Sequence, residues 1–202
     1  MPLWLAGRPL LLASKSAIRR SLLEAAGVAV ETRPASVDER AIEARAGLTD
    51  AGEVAALLAR EKARAVADGD AEALVLGADQ TLALGRRRFS KAPDRAAARE
   101  QLRTLRGQTH TLHSAVALVR AGTVLFEHVD TAQLTMRAFS DDFLERYLDE
   151  AGAAATASVG GYQLEGLGIQ LFERVEGDHF TVLGLPLIPL LDWLRQAGML
   201  AK

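Results

Sequence analysis

The chain has 202 residues, of which 49% are hydrophobic and 25% charged, with a net charge of −2 and no cysteine. That profile belongs to a globular chain able to bury one large core or two small lobes, and it excludes a disordered or fibrous protein. It also excludes disulfides, thiolate nucleophiles and cysteine metal sites, and it offers no overall charge to attract nucleic acid or an anionic membrane surface.

The N-terminal apolar run carries Arg8 in its middle and has no basic leader, so neither a signal peptide nor a bilayer-spanning stretch is expected. Leu10-Leu11-Leu12 reads as a buried strand and Ser14 to Ala17 as a turn. Ile18, Leu22, Leu23 and Ala26 then fall on one face of a helix ending near Gly27. A strand that breaks into small hydroxyl residues and opens a helix is suited to an anion, because free backbone N–H groups and the helix dipole point at it. Arg19 and Arg20 could close round phosphate oxygens with fork-like donors. The plainer alternative is a strand-turn-helix with two solvated arginines.

Val28 to Pro34 reads as a strand. Asp38 and Glu39 follow at a strand-to-helix junction, where carboxylates either cap the helix or hold a hard cation. Thr49 or Asp50 can cap the next helix, whose apolar stripe is Val54, Leu57, Leu58, Ala63 and Val66. Lys62 lies in that helix, as a surface lysine or a functional one. Ala73 to Ala78 is a strong buried-strand signal. It is expected to end in Asp79-Gln80-Thr81, and open α/β sheets place functional groups at the ends of central strands. Asp79 there either serves a divalent ion or a water, or caps a turn. Gly85 to Phe89 reads as a basic hairpin tip, and Arg95–Leu105 as a helix closed by Gly107.

The second half is strand-rich. Gln108 to Val119, Thr123 to Val129 and Asp130 to Phe139 read as three strands, and Arg120-Ala121-Gly122 as a turn. Ser140 can cap a helix that packs Phe143, Leu144, Tyr147 and Leu148 inward. Ala151 to Ala157 reads as a loop or lid. Val159 to Ile169 holds four glycines that can let backbone approach a ligand. Leu171 to Val175 reads as a strand, Gly177-Asp178 as a turn, and Leu187, Leu190, Leu191 and Leu194 as the apolar side of a final helix.

There is no Gly-x-Ser-x-Gly elbow, no phosphate loop of the Gly-Lys type and no Gly-x-Gly-x-x-Gly signature. His110 and His113 lie three apart in a strand and face opposite ways, which argues against a paired-histidine metal site. What remains is Ser14, Arg19, Glu39, Lys62, Asp79 and Lys91, a set compatible with metal-assisted phosphate chemistry.

Over nearly its whole length the chain resembles the Maf family of septum-formation-inhibitor-like nucleoside triphosphate pyrophosphatases. Leu12-Ala13-Ser14-Lys15-Ser16-Ala17-Ile18-Arg19-Arg20 matches the family's opening motif, with Ala17 in place of its proline. Val37-Asp38-Glu39, Glu61-Lys62-Ala63, Gly77-Ala78-Asp79 and Gly107-Gln108-Thr109-His110 match further motifs, and Thr135 its strand threonine. Lys91-Ala92 replaces a Lys-Pro pair. The resemblance implies a single α/β domain over residues 1–202, an elongated mixed sheet with helices on its faces and two lobes around a nucleotide cleft. It implies hydrolysis of a nucleoside triphosphate to the monophosphate and pyrophosphate with Mg²⁺ or Mn²⁺. Asp79 and Glu39 would serve the metal, with Asp79 as ligand or as base for the water. Lys62 and Lys91 would join Asp79 in catalysis, and Ser14, Arg19 and Arg20 would bind phosphate. A cytoplasmic protein, a possible homodimer, and no nucleic-acid or membrane partner are expected.

Ala78-Asp79-Gln80 and Glu165-Gly166-Leu167-Gly168 resemble the subgroup acting on 7-methyl-GTP, with Ile18 where that subgroup has tryptophan. A pyrimidine subgroup has threonine at position 80 and glutamine at 165. Gln80 and Glu165 are therefore the expected readers of the base. The alternatives are a dTTP/UTP pyrophosphatase and a non-catalytic nucleotide-binding regulator of septation.

Overall fold

The computed structural model describes residues 2–202. The first half runs β1 (Leu10–Leu12), α1 (Ala17–Ala25), β2 (Val30–Thr32), α2 (Glu39–Ala46), α3 (Ala51–Ala67), β3 (Val75–Leu84), β4 (Arg87–Phe89) and α4 (Arg95–Leu105). The second half runs β5 (Thr109–Arg120), β6 (Thr123–Met136), α5 (Asp141–Ala151), α6 (Ala154–Ala157), β7 (Phe172–Glu176), α7 (His179–Val182) and α8 (Leu187–Gln196). The strands form one seven-stranded sheet in the order β2-β1-β3-β5-β6-β7, with β4 paired to β3. β1 is parallel to β2 and β3, whereas the pairs β3–β5, β5–β6 and β6–β7 are antiparallel. The class is α/β with a mixed sheet, as expected.

Side chains alternate along β3, so its two faces have different neighbours. On one face α3 lies almost on the backbone. Ala55 and Ala59 of α3 pack against Ala115 and Ala117 of β5. A Cβ at Gly77 would collide with the backbone of Ala59. The helix comes this close only because nothing larger than a methyl group intervenes. Asp50 caps α3, accepting from the Glu53 amide at 2.9 Å.

The other face carries two apolar clusters. One gathers Leu76, Ala78, Val116 and Leu118 with Leu10, Leu12, Leu23 and the α8 leucines. The second gathers Leu82, Leu112 and Leu134 with Leu102, Leu105, Leu144 and Tyr147. Each full leucine buried in such a cluster contributes roughly 2 kcal/mol of transfer free energy.

Four expectations need correcting. Thr123 to Met136 is one continuous strand, not two, because Asp130 stays within the pairing, opposite Ser114. Ala151 to Ala157 is no open loop: it closes α5 and forms α6, with Ala155 buried. The strand expected over Val28 to Pro34 shrinks to the three residues that pair with β1. Asp79 lies inside a ten-residue strand and not at its end.

Candidate active site

The site arises where β3 loses its neighbours along one edge. β1 pairs with Val75 and Leu76 only, and β4 pairs with Leu82, Ala83 and Leu84. The edge of β3 from Gly77 to Thr81 is therefore open between them, with Asp79 at its centre. An interior strand position thus gains the access that a strand end would have given it.

Asp79 faces α3. The close helix–sheet approach at Gly77 sets the height of α3, and Lys62 projects from it to Asp79 with Nζ 2.6 Å from Oδ1. The same ammonium stands 2.7 Å from Oε1 of Glu39. Glu39 is the first residue of α2. Its predecessor Asp38 caps the helix, accepting from the Ala41 amide at 3.0 Å. The Asp38-Glu39 pair therefore divides the two roles between its members, one carboxylate capping and one entering the site. α2 buries no residue. Ion pairs fasten it: Glu39 to Lys62, and Glu43 to Arg88 of β4 at 2.8 Å.

Arg19 enters from α1. Its Nε donates to the Gly184 carbonyl at 2.8 Å, and Nη1 donates to the Ala78 carbonyl at 3.0 Å and to Ser14 Oγ at 3.2 Å. The Ala78 carbonyl belongs to the open edge of β3. Arg19 Nη2 makes no bond to the described residues, so a rigidly held guanidinium keeps donors for an anion. Ser14 Oγ also accepts the Ser16 amide at 3.2 Å, which fixes the hydroxyl at the entrance to α1. Ser16 is the helix cap, and Ala17 takes the first helical position. Proline suits that position, so the alanine leaves Ser14 and Arg19 undisturbed.

Burial pushes the Asp79 carboxyl above the ordinary carboxylate range, against the pull of Lys62 and Arg19. Burial likewise lowers the Arg19 guanidinium, opposed by Asp79 and Glu39. The group stays charged, because arginine does not deprotonate in proteins. Two cations and two carboxylates thus meet along the open edge of β3.

Among the described residues no group of three or more His, Asp or Glu side chains forms a metal cage. Asp79 and Glu39 are nonetheless a fitting donor pair for Mg²⁺ or Mn²⁺. Such ions bind through one or two carboxylates and take their remaining ligands from water and substrate phosphates. The common contact with Lys62 Nζ holds the two carboxylates close together.

The structure separates the remaining sequence candidates from this cluster. Arg20 is exposed and paired with Glu24 at 2.7 Å. Successive helical residues point about 100° apart, so Arg19 and Arg20 do not both face inward. Lys91 follows β4 and is exposed, and Glu165 is exposed in the glycine-rich segment. Neither makes an ion pair or side-chain hydrogen bond to the described residues. Gln80 points to the opposite face of β3 from Asp79. Its Nε2 donates to Ser114 Oγ at 2.9 Å, to the Val182 carbonyl at 3.0 Å and to the Thr181 carbonyl at 3.2 Å. Gly160 and Gly161 pack against Leu82 and Leu102, so these two glycines serve the core and not a ligand. His110 and His113 do face opposite ways: His110 bonds Tyr162 at 2.8 Å, and His113 lies beside Gly52.

Sequence reasoning missed Ser114, Asp130, Thr181 and the Gly184 carbonyl. The only signal for Ser114 and Asp130 was a polar residue inside a strand pattern, and Thr181 and Gly184, in and after α7, carried none. A cavity of about 490 Å³ between α2 and α3 is lined by Val37, Ile42, Arg45 and Arg64 among others, but by no residue of the Asp79 cluster.

Residues 9–197 match the family described as Maf-like protein, and the chain belongs to that family. It is 56% identical over 201 residues, with full coverage of both chains, to a nucleoside triphosphate pyrophosphatase of Rhodopseudomonas palustris (strain BisB18). It is 54% identical, again at full coverage, to the protein of that name from Nitrobacter winogradskyi. A 7-methyl-GTP pyrophosphatase of Rhizobium etli is 53% identical, covering 94% of this chain and 96% of its own. Among solved structures, a HAM1 protein from Coxiella burnetii shares 13% identity at a TM-score of 0.43, over 63% of this chain and 72% of its own. No helix among the described residues is long and apolar enough to cross a membrane.

Proposed function

We propose that this chain is a nucleoside triphosphate pyrophosphatase that cleaves between the α and β phosphates, acting on 7-methyl-GTP or another modified purine nucleotide. The observation that carries the reading is the Lys62 ammonium set between Asp79 and Glu39, beside the open donors of Arg19, in the gap along β3. The full-length identity to proteins named for this activity supports it.

Asp79 and Glu39 would hold a divalent cation, which when bound orients phosphates and lowers the pKa of water. Arg19, Lys62 and Ser14 would bind phosphate oxygens, and Lys91, exposed after β4 and outside this cluster, would join them on substrate binding. The water oxygen bonds to the α phosphorus as the bond to the bridging oxygen breaks. Pyrophosphate leaves with that electron pair, and the water proton passes to the Asp79 carboxylate. Cations fixed before the reaction stabilise the charge that grows on the leaving group.

The base assignment rests on acceptors. Although Gln80 lies on the opposite face of β3 from Asp79, its Nε2 donates to two backbone carbonyls, which leaves Oε1 to accept. Glu165 is a second acceptor. Two acceptors suit the N–H edge of guanine, and a carboxylate further suits the positive charge of a 7-methylated ring.

The test is a turnover screen of purified protein with Mg²⁺ or Mn²⁺ over ordinary and modified triphosphates. Equal monophosphate and pyrophosphate from 7-methyl-GTP, ahead of UTP and dTTP, is the expected result. Turnover confined to UTP or dTTP overturns the base assignment. Binding without turnover across the panel overturns the enzyme.

A further inference from the structure

We infer that Asp130 and Thr181 are positioning residues for the phosphate-binding arginine, acting through the α7 turn. Gln80 of β3 lies directly opposite Ser114 of β5, and Ser114 directly opposite Asp130 of β6. Directly opposed residues share a face of the sheet, so the three form a polar row across it. The row runs between the two apolar clusters, with Ala78 and Val116 on one side and Leu82 and Leu112 on the other.

Thr181 of α7 docks on this row through both of its oxygens. Its carbonyl accepts from Ser114 Oγ at 2.7 Å and from Gln80 Nε2 at 3.2 Å, and its hydroxyl donates to Asp130 Oδ2 at 2.8 Å. Thr181 and Ser114 have no exposed surface. A buried polar group that loses its partner carries its full desolvation cost, so this arrangement tolerates little displacement. Asp178 fixes the entrance of α7, accepting the amides of Phe180 and Thr181 at 3.0 and 3.1 Å.

Two residues beyond α7, the Gly184 carbonyl receives Arg19 Nε. Gly184 has φ of +86°, and a Cβ there would stand 3.2 Å from Arg19 Nη2. The turn therefore approaches the guanidinium closely and in one conformation. Arg19 has three anchors, and the Gly184 carbonyl is the one supplied by the second half of the chain, Ser14 and Ala78 coming from the first. Fastening Thr181 to Asp130 holds that anchor and so aims the free Nη2 donors.

This rests on the proposed nucleotide reading for the phosphate-binding role of Arg19 and for the choice of probe, inorganic tripolyphosphate, whose binding needs no turnover. Titration calorimetry would compare wild type, Thr181→Val, Thr181→Ser and Asp130→Ala, each also in an Arg19→Lys background. Thr181→Val keeps shape and loses the hydroxyl; it is expected to weaken tripolyphosphate binding about tenfold. Thr181→Ser should restore binding to within about twofold of wild type. In the Arg19→Lys background, Thr181→Val should cost nothing further, since lysine has no second nitrogen that a bond to Gly184 could aim at the anion. Undiminished binding by Thr181→Val overturns the inference, as does an equal loss in the Arg19→Lys background. Should Thr181→Val fail to fold, Asp130→Ala, at a partly exposed position, gives the same reading. Wild type that binds tripolyphosphate but turns over no nucleotide sinks the proposed activity and leaves the inference standing. Wild type that binds no polyphosphate overturns the inference itself.

Discussion

The two faces of β3 solve the same burial problem in opposite ways. Towards α3, alanines and Gly77 bring a helix down to the backbone, and the space saved admits charge: Lys62 meets Asp79 and Glu39 at the open strand edge. Away from α3, large leucines fill two clusters, and the polar atoms between them are neutral donors and acceptors apart from the Asp130 carboxylate at the rim. The charged face fits reaction and the apolar face fits positioning. Adjacent residues, Asp79 and Gln80, divide between the two because successive strand side chains point opposite ways.

Gly77→Ala is the sharpest attack on this comparison. The added methyl forces α3 off the sheet, with an expected loss of about 3 kcal/mol in denaturant unfolding and a collapse of turnover as Lys62 leaves Asp79. Normal stability with normal activity would show that the close approach does not set the site.

On the apolar face, His110 tests intolerance of charge. Burial holds its pKa down at about 4 against an ordinary 6.5. The unfolded imidazole therefore takes a proton first. Stability is fully present above pH 6.5 and is lost as the pH falls towards 4, by about 3 kcal/mol across that window. Unfolding measured from pH 7 to pH 4 should show this slope, and His110→Gln should flatten it. An unchanged slope in the variant would place the proton elsewhere.

Arg19 and Arg20 separate the buried donor from the solvated one. Arg19→Ala should raise KM for a nucleoside triphosphate by about 10- to 100-fold through loss of charge-assisted bonds. On the charged face, burial raises the Asp79 pKa and Lys62 opposes that rise. In the metal-free protein the Asp79 carboxyl carbon, followed by NMR, should therefore titrate above the ordinary carboxylate range. Lys62→Gln should move that titration to still higher pH; a downward move would contradict the pairing. Arg20→Ala, smallest of all, removes only an exposed i,i+4 pair worth about 0.4 kcal/mol and should leave KM within about twofold.

Much of this was legible in the sequence. The strand through Gly77-Ala78-Asp79, the helix bearing Lys62, the Asp38-Glu39 junction and the Ser14–Arg19 opening all fall where their local patterns put them. These are short-range signals, set by alternation, capping residues and helical period. What the sequence withheld depends on register and on which neighbour stops where. Asp79 reads as a strand terminus because polar residues follow it, yet its access comes from the gap between β1 and β4. Gln80, Ser114 and Asp130 lie far apart in the chain and become a row only through two antiparallel registers. Asp130 even split β6 in the sequence reading, since its carboxylate breaks the pattern and Thr181, 51 residues later, supplies its partner. Arg20 looked equal to Arg19 because a motif pair carries no angle.

The most direct test of the account is Asp79→Asn, assayed with Mg²⁺ or Mn²⁺ on 7-methyl-GTP and UTP while monophosphate and pyrophosphate are followed together. The account predicts that equimolar product formation falls about a thousandfold on whichever substrate the wild type uses, with folding and nucleotide binding retained. Turnover by Asp79→Asn at the wild-type rate would remove Asp79, and with it the charged face of β3, from the chemistry.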